Sequence, residues 1–125
     1  MGTPVLVVDD SMMVRQKVSS ALGGTAFEIV EAEDGVQAIA RLAQRKDIGL
    51  VICDVNMPRV NGIQLAQHMA RTESLAHIPV LMLSSSGGSY DLARARGIGV
   101  KAWVLKPFDA ESLLATVEKL TAHAA

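Results

Sequence analysis

Five short apolar runs each give way to a stretch in which apolar residues return at helical spacing, and this alternation restricts the fold more than any other feature. The runs are Val5–Val8, Phe27–Ala32, Leu50–Cys53, Val80–Leu83 and Ala102–Leu105. Bounded by turn residues, they read as strands. Between them, Val14, Val18, Ala21 and Leu22, then Val36, Ile39, Leu42 and Ala43, then Leu65, Ala66 and Met69 mark the inward faces of three helices. Arg15, Gln16 and Lys17 point elsewhere on the first. Tyr90–Arg96, bounded by Gly97 and Gly99, is the weakest helical stretch. Asp109 can cap a last helix carrying Leu113, Val117 and Leu120. Strict β-then-α alternation implies parallel strands joined by right-handed crossovers, with helices on both faces. The expected fold is therefore α/β, one domain over residues 1–125 with a doubly wound five-stranded parallel sheet. Phe27–Ala32 is the most polar run and belongs at the sheet edge.

With 50% hydrophobic residues but only 3% aromatic, the core must be aliphatic, with Met as filler. A formal net charge of -1 leaves no electrostatic footprint for nucleic acid. The single cysteine, Cys53, lies inside an apolar run and reads as a small buried hydrophobe. No apolar segment approaches the ~20 residues that span a membrane, and the N-terminus lacks the regions of a signal peptide. A monomeric cytoplasmic protein is expected.

Four of the five strands end in a reactive side chain: Asp9 and Asp10 after the first, Asp54 after the third, Ser84 after the fourth and Lys106 after the fifth. Parallel strands place their carboxyl ends on one side, where open α/β sheets hold ligands. If the first and third strands are neighbours, three carboxylates meet and repel, which raises the pKa of at least one unless a cation sits among them. Two or three carboxylates leave coordination positions open, which suits Mg2+ better than an all-protein Ca2+ cage. Lys106 adds a positive charge and Ser84 a hydroxyl donor. Together they describe a site for a phosphoryl group with one carboxylate as nucleophile.

The chain resembles the response-regulator receiver domain family, in particular its small chemotaxis-type members, over residues 4 to 120. The resemblance rests on Val-Val-Asp9-Asp10-Ser, Asp54-Val-Asn-Met-Pro-Arg-Val-Asn-Gly62, Leu-Met-Leu-Ser84 and Trp103-Val-Leu-Lys106-Pro107-Phe108. It implies a flavodoxin-like sheet of strand order 2-1-3-4-5. Asp54 would be the phosphoacceptor for a histidine kinase, and Mg2+ would be held by Asp9, Asp10, Asp54 and the backbone carbonyl of Asn56. Lys106 would contact the phosphoryl group, Ser84 would reorient towards it, and Trp103 would be the switch aromatic that turns inward. A cis peptide at Lys106-Pro107 is also implied. Ser85 departs from the family's usual small apolar residue, and Gly87-Gly88 makes the following loop unusually flexible. Ser86 and Asn56 stand where the family tunes phosphoryl lifetime.

Three functions compete. The first is a stand-alone switch that assists its own phosphorylation and dephosphorylation, is not a classical enzyme, and signals to a protein such as a flagellar motor or motility component. The second is a relay intermediate that passes the phosphoryl group to a histidine phosphotransfer protein. The third, a Mg2+-dependent aspartyl phosphatase, is disfavoured because Val55 and Asn56 follow Asp54 where that chemistry uses Asp-x-Asp. His68, His77 and His123 lack metal-ligand spacing.

Overall fold

The computed structural model describes residues 2–24, 26–57, 59–85 and 95–122. In chain order these form β1 (Thr3–Val8), α1 (Met12–Ala21), β2 (Phe27–Ala32), α2 (Gly35–Gln44), β3 (Leu50–Asp54), α3 (Gly62–Arg71), β4 (Val80–Ser84), β5 (Ala102–Leu105) and α4 (Ala110–Thr121). Residues 95–97 are also helical. The rest of the expected Tyr90–Arg96 helix, together with Ser86 and Gly87-Gly88, lies outside the described residues.

All strands are parallel, in the order β2-β1-β3-β4-β5. This is the flavodoxin-like arrangement, with polar β2 at an edge. Because side chains alternate across a strand, the central strands feed two cores. Leu6, Val8, Val51, Cys53 and Met82 pack on one face with Ala38 and Leu42 of α2 and Ile63, Leu65 and Met69 of α3. Val5, Val7, Ile52, Leu81 and Leu83 pack on the other with Val18 of α1 and Leu113 and Val117 of α4. Burial on both faces is why these strands read as unbroken apolar runs.

Each helix begins just past a strand's carboxyl end or its loop and is closed by a polar side chain. Ser11, Asp34, Asn61 and Asp109 accept the N–H groups of Val14, Gln37, Gln64 and Ser112 at 3.3, 2.8, 2.8 and 2.9 Å. Gln64 reciprocates towards the Asn61 N–H at 2.9 Å, completing a capping box.

Two inward faces differ from the sequence expectation. In α2 the buried positions are Gly35, Ala38 and Leu42, whereas Val36 is 43% exposed and Ala43 is exposed. The reason is Gly35: a Cβ there would approach Val60 Cβ to 2.5 Å, so the helix packs backbone-first against the β3–α3 loop and rotates Val36 outward. In α1, Arg15 does not point to solvent but is buried. Its long stem runs along the protein while the guanidinium turns back to the ends of β1 and β2.

Candidate functional site

The carboxyl ends of β1, β3, β4 and β5 bring the acidic, hydroxyl and basic groups to one place. Asp9 follows β1 and is 1% exposed. Its Oδ1 accepts the Ser11 N–H at 2.8 Å and its Oδ2 accepts from Lys106 Nζ at 3.0 Å. Asp54, the last residue of β3, is 6% exposed, and its Oδ1 lies 3.3 Å from the same ammonium. Asp10 is exposed, yet one carboxylate oxygen from each of Asp9, Asp10 and Asp54 falls within 4.8 Å of the others. Ser84 closes β4 and is buried, and its carbonyl accepts the Lys106 N–H at 2.7 Å, fixing the end of β5 beside it. The Lys106-Pro107 peptide is cis.

The electrostatics follow from this crowding. Burial pushes the Asp54 carboxyl above the usual carboxylate range, the charge of Asp9 pushes it further, and Lys106 only partly opposes them. For Lys106, burial would lower the pKa, but hydrogen bonding and attraction from Asp9 and then Asp54 outweigh it and hold the ammonium above its ordinary value. Burial, reinforced by the charges of Asp54 and Asp9, drives the Cys53 thiol strongly upward. Cys53 is therefore an inert core residue. Three carboxylates against one ammonium leave two negative charges in excess. An all-oxygen donor set with that deficit fits a hard divalent cation such as Mg2+.

The loop from β3 to α3 is tied down at both ends. Val55 N–H donates to the Leu83 carbonyl at 3.1 Å, and Gly62 N–H donates to the Val55 carbonyl at 3.0 Å. Gly62 sits so close that a Cβ would meet the Asp54 carbonyl oxygen at 2.4 Å. Arg59 adopts a left-handed backbone, φ 66°, and its guanidinium pairs with Asp34 at the start of α2. That hydrogen bond, with the Gln37 N–H, holds the Asp34 carboxyl below its ordinary value. Gly62→Ala is expected to destabilise the protein by about 1–3 kcal/mol, since overpacking against backbone cannot be relieved by a rotamer change. Urea denaturation at constant m-value measures this, and a midpoint equal to wild type would refute the close approach.

Arg15, Glu31, Asp34 and Arg59 are the supporting residues that sequence reading missed. Arg15 donates through Nη1 to the Asp9 carbonyl and through Nε to Glu31 at 2.8 Å, so it holds the peptide that presents the acidic pair. Glu31 is in register with Val7 on the neighbouring strand. Only the β1–β2 pairing puts it within reach, and no local signal reports it. Asp34 caps α2 locally, but its partner Arg59 lies far along the chain. Trp103 is half-buried against the α2–α3 core, and its indole Nε1 is buried without a hydrogen-bond partner among the described residues.

Comparison with known proteins agrees with this geometry. The model of the response regulator receiver domain matches residues 5–118. Protein PilG of Pseudomonas aeruginosa is 32% identical over 117 residues, covering 94% of this chain and 86% of that protein. Chemotaxis protein CheY1 of Helicobacter pylori is 33% identical over 115 residues, covering 91% and 93% respectively. Among solved structures, the chemotaxis response regulator CheY4 of Vibrio cholerae superposes with a TM-score of 0.87 at 31% identity, covering 96% of this chain and 99% of that one. With its 2-1-3-4-5 sheet and its acidic cluster beside a lysine, this chain belongs to the response regulator receiver domain family.

Proposed function

We propose that the chain is a phosphorylation switch in which Asp54 accepts a phosphoryl group from a phosphohistidine of a histidine kinase. The observation that carries this reading is the Lys106 ammonium lying 3.0 Å from Asp9 and 3.3 Å from Asp54. A carboxylate oxygen of Asp54 attacks phosphorus, the new P–O bond forms as the P–N bond breaks, and the imidazole leaves. Lys106 is placed to exchange one carboxylate contact for a phosphoryl oxygen. Asp9, Asp10, Asp54 and the Asn56 backbone carbonyl are the groups that would hold Mg2+, which supplies neutralisation of the phosphoryl oxygens when bound.

Output follows from the same groups. The phosphorylated Asp54 carries about two negative charges and three acceptor oxygens. The Ser84 hydroxyl turns to a phosphoryl oxygen, and the state in which it bonds the phosphoryl group is favoured, with Trp103 moving into the space beside it. The surface around β5 and α4 then changes for a downstream partner. Relatives named as chemotaxis proteins support a chemotaxis or motility role, with a flagellar motor or motility component as target. No observation favours the relay reading. The proposal includes a monomeric, cytoplasmic chain; no helix among the described residues is long and apolar enough to cross a membrane.

The test is incubation with phosphoramidate and Mg2+ followed by intact-mass measurement. One phosphate per chain is expected, and none when Mg2+ is chelated. Absence of incorporation with Mg2+ present would overturn the proposal.

A further inference from the structure

At the end of the sheet opposite Asp54, a groove of about 980 Å³ opens at the amino ends of the strands. Lys46, His77, Lys101 and Lys119 line it together with apolar residues that include Pro79 and Leu120. The first three stand in the connections that enter β3, β4 and β5, which are neighbours in the sheet, and Lys119 faces them from the last turn of α4. The first three thus precede adjacent strands, which lie about 4.8 Å apart. All four side chains are on exposed residues; the three lysines carry the positive charge, and among the described residues none of them forms an ion pair. Asp47 also lines the groove; Arg45 contacts its two oxygens at 3.0 and 3.1 Å while also pairing with Glu28, so three lysines face one carboxylate that is partly neutralised.

We propose that this groove docks an acidic segment of a partner protein in extended conformation, with an apolar side chain inserted between its carboxylates. In an extended chain, residues on one face recur every ~7 Å. One apolar side chain can therefore enter the groove while carboxylates two residues to either side reach the lysines. The chain as a whole has a net charge of -1, with an acidic cluster at the far end of the sheet, so the basic groove is a local field that orients an acidic partner. Among the described residues no Phe, Tyr or Trp lines the groove, which gives single-stranded nucleic acid no stacking surface there.

The test is an NMR amide titration of the full chain with the synthetic peptide Glu-Ser-Leu-Ser-Glu-Ser-Leu-Ser-Glu. Neither phosphodonor nor Mg2+ is present, so the outcome is independent of the reading of Asp54. Saturable shifts at groove residues are expected. Affinity should fall roughly tenfold or more for Lys46→Glu/Lys119→Glu and for the peptide with Gln in place of Glu, and stay unchanged for Lys17→Glu on α1. The same spectra report whether each variant is folded. No shifts at the groove, equal affinity of the double variant, or equal affinity of the Gln peptide would overturn the proposal. So would tighter binding of an oligothymidylate or phosphatidylglycerol vesicles at the same amides.

Discussion

Asp54→Asn is expected to abolish phosphate incorporation from phosphoramidate, the largest functional effect of any single substitution in this chain. The amide is close in size to the carboxylate and leaves β3 intact, so loss reports the missing nucleophile. Lys106→Ala should retain some labelling but slow it on the order of 10²–10³-fold, the usual loss when one preorganised donor is removed from developing charge. Its ammonium is the group within 3.3 Å of both buried carboxylates, and no other described cation pairs with either. Time-resolved intact-mass measurement separates the two variants. Labelling of Asp54→Asn at the wild-type rate would move the phosphoacceptor elsewhere.

Mg2+ is expected to raise the melting temperature substantially. A ligand that binds only the native state, present at 100 times its Kd, stabilises by about 2.7 kcal/mol, which for a domain of this size corresponds to roughly 8 °C or more. In chelator, Asp54→Asn should melt a few degrees above wild type at neutral pH, because the charge that burial and Asp9 make unfavourable is gone. The pH dependence has a definite sign. The Asp54 carboxyl lies higher in the folded chain than in the unfolded one, so the cost of its charge is fully present above the folded value. As pH falls through that value the native state takes up a proton, and the wild type gains stability until the unfolded carboxyl also protonates. Carboxyls held below their ordinary range, such as Asp34, act in the opposite direction. The difference in melting temperature between Asp54→Asn and wild type therefore isolates the Asp54 contribution, and it should shrink towards acid. A difference that grows towards acid, or a wild-type melt indifferent to millimolar Mg2+, would contradict the crowded-carboxylate description.

The strands were the most legible part of the fold. A doubly covered strand such as Leu50–Asp54 must be apolar on both faces, and nothing else in a chain of this composition makes four-residue apolar runs at such regular intervals. The helix starts were legible at Asp109, where a short polar side chain meets its own helix. Helix faces were less so. Val36 and Ala43 fit a helical stripe as well as Ala38 does, and only the close approach of Val60 to Gly35 selects the stripe that is buried. The acidic, hydroxyl and lysine residues of the candidate site were found because each stands at a strand end. The residues that brace them escaped notice because they act at a distance.

Periodicity and strand-end chemistry are local properties, and from them the sequence by itself determined a parallel α/β sheet with Asp9, Asp10, Asp54, Ser84 and Lys106 on one side of it. What the tertiary structure decided depends on which strands are neighbours. The β2-β1-β3-β4-β5 order sets the carboxylate oxygens of Asp9, Asp10 and Asp54 within 4.8 Å and brings Lys106 between two of them. It also turns Arg15 inward to Asp9 and Glu31, joins Arg59 to Asp34, and lines up lysines at the opposite end of the sheet. A long charged side chain carries its partner's position nowhere in its own local pattern, so these pairings exist only once the strands have packed.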